Sequence, residues 1–345
     1  MANNSTMFAK ETYTDKLISS IEKAQNEAVF FEEIYNNPDL DVGKNEFLFF
    51  IKPEITVKSE TINLEKILEL IGEKISTFGF NIHNIKILSA NYLDKFDIIA
   101  QHYGIINKIA SDARQNLSDG AKEKFKEIFA QPLEESSVLG GMEILTKYQD
   151  FNAYSLDYLW QNLENKKLAG GTYCEEIKID NEKIYLINGF HPRQLKHFTE
   201  KGRSIVVFTL SSDLSWAEAR SNFIGATRPS DAKEGSLRRE LLDRKDEFGL
   251  AEVSQGVNGV HLSAGPVEAL IELKRYNSNF ADNTQIKEFL AFSFGKKLAE
   301  NFSLDTIEKI LSNPNVEVNG KAVSIFDLTE EKDSDEAVAI LKAQF

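Results

Sequence analysis

The sequence predicts a mixed α and β fold, because strand-like apolar runs alternate with amphipathic helical stretches along its length. FLFFI (47–51), inside a strand from 45 to 51, and SIVVFTL (204–210) are continuous apolar runs typical of strands buried on both faces. Between them, residues 64–78 repeat apolar side chains at helical spacing, and Gly79 follows as a helix-ending residue. This alternation predicts an α/β sandwich.

The other elements are assigned from the same two periodicities and from turn residues. In chain order they are a polar, partly helical arm up to 41 with Leu17, Ile21 and Ala24 on one face, a strand at 81–88, a helix from 92 to 110, a charged helical stretch at 111–165, a hairpin of strands 173–179 and 182–187 joined across Asp180-Asn181, short helices at 194–199 and 215–222, a strand ending at Val260, a helix after Pro266, and a polar helical tail from 277.

Composition excludes several classes of protein. The 345 residues are 42% hydrophobic and 27% charged, with a net charge of -14, which argues against general nucleic-acid binding because phosphate backbones require a basic surface. The single cysteine, Cys174, excludes an intramolecular disulfide. The first residues, MANNSTMFAKETYTDK, lack the apolar core of a signal peptide, and no apolar run reaches membrane-spanning length. We expect a soluble, cytoplasmic protein.

The stretch NGVHLSAGPVEAL (258–270) places a histidine directly before a predicted helix. His261 precedes Gly265 and Pro266, which are suited to a helix start, where backbone N–H groups attract anions. Neutral imidazole is a competent nucleophile near pH 7. The sequence contains neither G-x-G-x-x-G nor G-x-x-x-x-G-K-[ST], so side chains would have to hold the phosphates of any nucleotide.

Three segments, in this order, resemble nucleoside diphosphate kinases. They are KPE (52–54) after the first strand, GATRPSDAKEGSLR (225–238) and NGVHLSAG (258–265). The resemblance covers roughly 45–110 and 190–275. It implies an α+β fold with a ferredoxin-like β-α-β-β-α-β core and an antiparallel four-stranded sheet, interrupted by an inserted α/β subdomain and flanked by helical extensions.

The resemblance also implies a division of the chain into five parts. These are a helical N-terminal arm at 1–44, the first part of the core at 45–110, an inserted subdomain at 111–189, the second part of the core with the histidine at 190–276, and a helical C-terminal extension at 277–345.

Site residues follow from the same resemblance. It implies that His261 receives the phosphoryl group, that Ser263 and Glu272 support it, and that Mg²⁺ bridges the nucleotide phosphates without a protein metal site. Ser221 stands where the family has an arginine, and Arg220 beside it is the substitute. The residues that match nucleotide-binding positions, with this substitute included, are Lys52, Tyr103, Thr227, Arg238, Asn258 and Arg220.

The implied function is transfer of the γ-phosphate of ATP or another nucleoside triphosphate to a nucleoside diphosphate, by a ping-pong mechanism through phosphohistidine. The family assembles as tetramers or hexamers built from dimers, so a homo-oligomer is implied as well, with neither membrane nor nucleic acid as a partner. Leu262 replaces the family's glycine after the histidine. Two alternatives stay open: a non-catalytic nucleotide-binding and protein-interaction module, and a phosphohistidine that serves a protein acceptor.

Overall fold

The computed structural model describes residues 11–26 and 29–345, which divide into two compact units. The first unit comprises the chain up to Phe96 together with the chain from Lys201 onward, and the second comprises Asp97–Glu200. The second unit therefore extends beyond the expected insertion of 111–189 at both ends. Residues 1–10, 27 and 28 of the expected N-terminal arm lie outside the described residues.

The chain alternates between strands and short helices, as its sequence periodicities predict. The strands are β1 (Phe31–Asn36), β2 (Asn45–Ile51), β3 (Asn81–Ser89), β4 (Val138–Gly140), β5 (Lys166–Ala169), β6 (Thr172–Ile179), β7 (Glu182–Ile187), β8 (Ser204–Ser212), β9 (Val260–Leu262), β10 (Asn315–Val318) and β11 (Lys321–Ser324).

The helices are mostly two or three turns long. The α-helices are α1 (Glu11–Asn26), α2 (Pro53–Thr56), α3 (Leu64–Thr77), α4 (Ala90–Lys95), α5 (Ile98–His102), α6 (Gly104–Ser111), α7 (Ala113–Asn116), α8 (Asp119–Phe129), α9 (Gly141–Lys147), α10 (Ala153–Gln161), α11 (His191–Thr199), α12 (Trp216–Glu218), α13 (Leu237–Asp243), α14 (Pro266–Asn277), α15 (Ser293–Asn301), α16 (Leu304–Leu311), α17 (Ile325–Thr329) and α18 (Ser334–Lys342). A π-helix, Ala219–Ile224, continues α12.

The first unit is built on a five-stranded antiparallel sheet with the order β1-β3-β8-β2-β9. The sheet thus has one strand more than the four that were expected, and the arm at 1–44, expected to be partly helical, supplies it. The additional strand, β1, has the sequence FEEIYN and lies at the edge of the sheet. Because an edge strand keeps many side chains in solvent, its sequence lacks the continuous apolar run that identifies β2 and β8.

Helix α3 covers the sheet with the stripe that its sequence predicts. Asn63 caps the helix by accepting the backbone N–H of Lys66 at 3.1 Å, and Ile67, Ile71 and Ile75 are buried. Helix α1 buries the predicted face of Leu17, Ile21 and Ala24 as well. Burial of these amphipathic faces is what stabilises helices of this length.

Two helical predictions need correction. The helix expected from 92 to 110 is broken into α4, α5 and α6, and Asp97 at the first break adopts a left-handed φ of 52°. The C-terminal extension, expected to be helical, contains the hairpin β10–β11. Its turn, Asn319-Gly320, has positive φ at both residues, as tight hairpins require.

The second unit contains a four-stranded sheet with the order β4-β7-β6-β5. The predicted hairpin is confirmed as β6–β7, with Asp180 and Asn181 at positive φ in its turn. Helices of this unit pack on the sheet through an aromatic cluster that includes Phe125 and Tyr185, whose ring centroids are 4.9 Å apart. The protein as described is a mixture of helices and mainly antiparallel sheet. Within the described ranges, no helix combines the length and hydrophobicity needed to cross a membrane.

Candidate active site

His261 lies at the centre of the edge strand β9 in the first unit. It pairs in register with Phe50 of β2, and the two rings stack with centroids 4.5 Å apart and planes 19° apart. The side chain of His261 is 17% exposed. The strand and the stacking ring therefore hold the imidazole in one orientation while part of it remains accessible.

Glu272 of α14 fixes the other side of the imidazole. Nε2 of His261 lies 3.1 and 3.2 Å from the two carboxylate oxygens of Glu272, whose side chain is 3% exposed. An ionised carboxylate can only accept, so Nε2 donates its proton to this contact. In the neutral ring the lone pair then resides on Nδ1, which assigns the nucleophilic position to that nitrogen.

Burial of the ring favours its neutral form. Burial lowers the pKa of His261 below its ordinary value, and the cations Lys52 and Arg238 lower it further, while Glu272 opposes the shift. A histidine with a lowered pKa is predominantly unprotonated at pH 7. The ring is therefore in the state that a nucleophile requires.

Lys52 follows β2 and reaches the loop before β9. Its Nζ donates to Oδ1 of Asn258 at 2.8 Å. Burial lowers the pKa of Lys52 to about 8; Glu54 opposes this shift and Arg238 adds to it. The Asn258 side chain in turn donates to the backbone carbonyls of Thr227 at 3.0 Å and Gln255 at 3.2 Å. Lys52 and Asn258 thus form one connected polar pair.

The KPE segment also clamps the backbone just before the histidine. The Lys52 N–H donates to the carbonyl of Gly259 at 2.9 Å, and the Gly259 N–H donates to Oε1 of Glu54 at 2.8 Å. Gly259 has a φ of 79°, which glycine adopts without strain. Glu54 has no role among the residues selected from sequence, yet its contact defines the entry to β9.

Arg238 is buried and is not among the residues that line the cleft described below. Only 5% of it is accessible, and its Nη1 and Nη2 donate to the carbonyls of Gly225 at 2.9 Å and Val260 at 3.1 Å. These contacts join the GATRP loop to β9. The guanidinium therefore supplies positive charge close to His261 while two of its donors hold the backbone.

A cleft of about 360 Å³ opens between the loop at 225–233, the π-helix and the C-terminal extension. Gly225 has a φ of 86°, and a Cβ at this position would overlap Ser236 and Ala232, so only glycine fits the turn. Basic, hydroxyl and acidic side chains share the cleft. It is lined by Arg220, Ser221, Gly225, Ala226, Thr227, Asp231, Lys233 and Glu331.

Arg220 connects this cleft to the histidine strand. Its Nη1 donates to the carbonyl of Leu262 at 3.1 Å. Its Nη2 lies 3.5 Å from Oε1 of Glu330, and its Nε lies 3.8 Å from Oε1 of Glu331. The arginine selected from sequence is thus at the cleft, and two carboxylates from the C-terminal extension accompany it.

Several residues of this region carry no sequence signal. Lys233, exposed in the loop, donates to Asn222 at 2.9 Å and lines the cleft. Glu268, one turn before Glu272 in α14, accepts the Ala264 N–H at 3.2 Å. Burial raises the pKa of Glu268 to about 8, with the neighbouring Glu272 charge adding to the rise. Charged residues in loops and helices are common, so neither pattern identifies a site without the fold.

Two of the residues selected from sequence have other surroundings. The hydroxyl of Ser263 donates to the carbonyl of Leu48 at 3.1 Å and accepts its N–H at 3.0 Å, so the serine ties β9 to β2. Tyr103 belongs to the second unit, where its ring lies 6.5 Å from that of His191 and 6.2 Å from that of Phe198.

Comparisons with known proteins assign no family. No family model and no curated protein matches this chain. Among solved structures, a crystal structure of an NDP kinase from Pyrobaculum aerophilum is 17% identical and matches 71% of this chain and all of the other, with a TM-score of 0.31. A TM-score this low is a weak likeness that establishes neither a fold family nor an activity.

Proposed function

We propose that this protein is a nucleoside diphosphate kinase-like phosphotransferase that uses His261 as its nucleophile. The observation that carries the proposal is the contact between Nε2 of His261 and the carboxylate of Glu272 at 3.1 Å. It fixes the tautomer and directs Nδ1 toward nucleophilic attack. A buried carboxylate behind the imidazole also stabilises the positive charge that the ring develops during reaction.

The proposed reaction has two displacements. In the first, Nδ1 attacks the γ-phosphorus of a nucleoside triphosphate, the new N–P bond forms, and the bond to the β-phosphate oxygen breaks as the diphosphate leaves. In the second, a terminal oxygen of another nucleoside diphosphate attacks the phosphohistidine, and the N–P electron pair returns to Nδ1. Glu272 keeps the proton on Nε2 throughout, so no proton has to leave the ring.

Positive charge is the protein's other contribution. Phosphoryl transfer depends chiefly on positioning and on cations near the phosphate oxygens. Lys52 and Arg238 both lie close enough to lower the pKa of His261, and Arg220 lines the adjacent cleft. We assign Lys52 to the transferring phosphoryl group, and Arg220 and Thr227 to the distal phosphates. We assign Asn258 to the sugar.

The fold is compatible with this proposal. Without the edge strand β1, the sheet has the antiparallel order β3-β8-β2-β9. Helix α3 lies between β2 and β3 in the chain. We propose that these strands and the helices between them form a ferredoxin-like β-α-β-β-α-β core. That arrangement would place the histidine strand at the edge, beside the cleft.

Mg²⁺ is the cofactor that such a reaction implies. The exposed carboxylate of Asp231 lines the same cleft as Arg220, and carboxylate and water oxygens are the ligands Mg²⁺ prefers. The donor set therefore suits the ion, and Asp231 is the residue we assign to its water shell. When bound, Mg²⁺ would neutralise phosphate charge.

A second candidate function is nucleotide binding without catalysis. Two donors of Arg238 are bonded to backbone carbonyls, and Arg220 is paired with two carboxylates. Such a protein would bind nucleotide and form no phosphoenzyme. The same experiment separates the two functions.

The test is a phosphoenzyme trap with γ-labelled ATP and Mg²⁺, followed by a chase with GDP. We expect acid-labile, base-stable label on the protein and its transfer to GDP as GTP. His261→Ala should abolish labelling, whereas His197→Ala, the same substitution in α11, should retain it. Absence of label in the wild-type protein, with ATP still bound, would establish the binding function instead. Label that GDP does not remove would indicate a different acceptor.

A further inference from the structure

Two consecutive glutamates of the C-terminal extension lie against the cleft. Glu330 and Glu331 connect α17 to α18, and their carboxylates face Nη2 and Nε of Arg220 at 3.5 and 3.8 Å. Their side chains are 47% and 49% exposed, against 20% for Arg220. The two acids are therefore more exposed to solvent than the arginine that they contact.

The backbone holds this pair in place from both sides. The Glu331 N–H donates to the carbonyl of Ala264 at 2.9 Å, and Gly265 packs so closely on Thr329 that a side chain there would overlap it. Two residues later, Asp333 accepts the backbone N–H of Trp216 at 2.9 Å. The glutamates are thus fixed directly beside the loop that follows His261.

The conformation of Glu331 is unusual for its residue type. Its φ is 57°, in the left-handed region that residues other than glycine and asparagine seldom occupy. Such conformations persist where surrounding contacts impose them, and they concentrate at functional sites. Here the imposed turn directs the Glu331 side chain into the wall of the cleft.

The cleft contains both basic and acidic side chains, and the acidic ones oppose the binding of phosphate. Arg220 and Lys233 are its basic lining residues, while Asp231 and Glu331 are its acidic ones. A phosphate that pairs with Arg220 has to displace the carboxylates or accept their repulsion. Either event costs binding free energy, and the cost grows with the negative charge of the ligand.

We propose that Glu330 and Glu331 compete with the terminal phosphate for Arg220 and so determine how tightly the cleft binds phosphate chains. The inference rests on the proposed function for the identity of the ligand. The acid pair acts as a specificity-determining element: it weakens binding of long, highly charged phosphate chains more than binding of short ones.

The test measures binding of inorganic tripolyphosphate and of pyrophosphate by titration calorimetry. The variant Glu330→Gln/Glu331→Gln keeps the shape of both side chains and removes both charges. Glu308→Gln/Glu317→Gln is the matched control, because it removes two charges from exposed residues elsewhere on the same extension. We expect roughly tenfold tighter tripolyphosphate binding in the first variant, about 1.4 kcal/mol, a smaller gain for pyrophosphate, and little change in the control.

Arg220→Ala completes a double-mutant cycle with the Gln pair. If the acids act through Arg220, the Gln pair should bring no gain in the Arg220→Ala background. An unchanged affinity in the Gln pair, an equal gain in the control, a gain that persists without Arg220, or no tripolyphosphate binding by any variant would each overturn the inference.

The phosphoenzyme trap separates this inference from the proposed function. Tighter tripolyphosphate binding in the Gln pair without any labelling of His261 would support the acid pair and reject the kinase. Normal labelling with equal tripolyphosphate affinities would retain the kinase and reject the acid pair.

Discussion

Lys52 and Lys86 lie in the same unit and have similarly lowered pKa values, yet their surroundings differ. Burial lowers the pKa of each to about 8. Lys86, in the middle of β3, is 3% exposed and contacts the Glu33 carboxylate at 3.1 Å. It also donates to Oδ1 of Asn277 at 2.8 Å and to Asn84. A carboxylate and two amide oxygens of the protein thus surround this ammonium.

Lys52 has a weaker set of partners. Its ammonium contacts a neutral amide oxygen, that of Asn258, and Arg238 repels it, while Glu54 attracts it. Among the described residues, no carboxylate forms an ion pair with Lys52, and a buried ammonium in that setting has the most to gain from an anionic ligand. The comparison shows that a lowered lysine pKa does not by itself identify a site; the identity of the contacting partner does.

Lys52→Met should have the largest effect on phosphoenzyme formation. Loss of the ammonium next to His261 should slow phosphoenzyme formation about 100-fold, because a preorganised donor in a shielded site contributes that much to reaction. The free energy of unfolding should also fall, by about 1 kcal/mol, because the buried Oδ1 of Asn258 loses its donor. The rate is measured by single-turnover labelling with γ-labelled ATP. A labelling rate equal to that of the wild type would remove Lys52 from the mechanism.

Lys86→Met should mainly reduce stability and should leave phosphoenzyme formation unchanged. Removing one partner of a buried network leaves Glu33 and Asn277 with lost contacts, which should reduce the free energy of unfolding by about 2 kcal/mol. Labelling per folded molecule should be unchanged. Urea denaturation followed by circular dichroism measures the first quantity. Unchanged stability together with slowed labelling would reverse the roles of the two lysines.

Alkaline pH should affect both lysines in the unmodified protein, but only Lys52 should change ligand binding. The folded pKa of Lys86, about 8, lies below its unfolded value near 10.5, so between these values the unfolded state binds more protons. Stability conferred by this group therefore rises as pH increases from 8 to 10.5 and is lost as pH falls through 8. Lys52 has the same lowered pKa of about 8, so it contributes a similar rise in stability. Over the same range, it also loses the charge that attracts phosphate.

We expect affinity for tripolyphosphate to fall above pH 8, by at most about tenfold per pH unit, while stability rises. The variants identify the groups: Lys52→Met should remove most of the fall in affinity, whereas Lys86→Met should leave that fall unchanged. Each variant should reduce the rise in stability. Calorimetric titrations and urea unfolding at matched pH measure the two trends. Affinity that is independent of pH from 7 to 10 would contradict the assignment of Lys52.

Elements with strong local periodicity could be predicted from the sequence. Strands β2, β3 and β8, helix α3 and the β6–β7 hairpin lie where apolar runs, helical spacing and turn residues place them. Strand β1 and the breaks between α4, α5 and α6 could not be predicted, because an edge strand with adjacent charged residues and a left-handed Asp97 have no local signature. Pairing with β3 makes β1 a strand.

For the candidate active site, the sequence identified which residues to consider, whereas their contacts became known only from the structure. His261 lies just before helix α14 and Glu272 lies within it, and the fold brings Nε2 of the histidine to 3.1 Å from a carboxylate oxygen of the glutamate. The expectation for Ser263 was a supporting role at the histidine, whereas its observed contacts are with Leu48. Lys233 and Glu331 were missed because an exposed charge in a loop is ordinary until the fold places it in a cleft.

By itself, the sequence determined the segments with strong local periodicity and that a histidine precedes a helix, because these depend on spacing between near neighbours in the chain. Only the tertiary structure decided which charges share a space. Lys52 meets Asn258, and Arg220 meets Glu330 and Glu331, across long chain separations. Such contacts arise from strand order and packing, and electrostatic interactions depend on distance in space rather than along the chain.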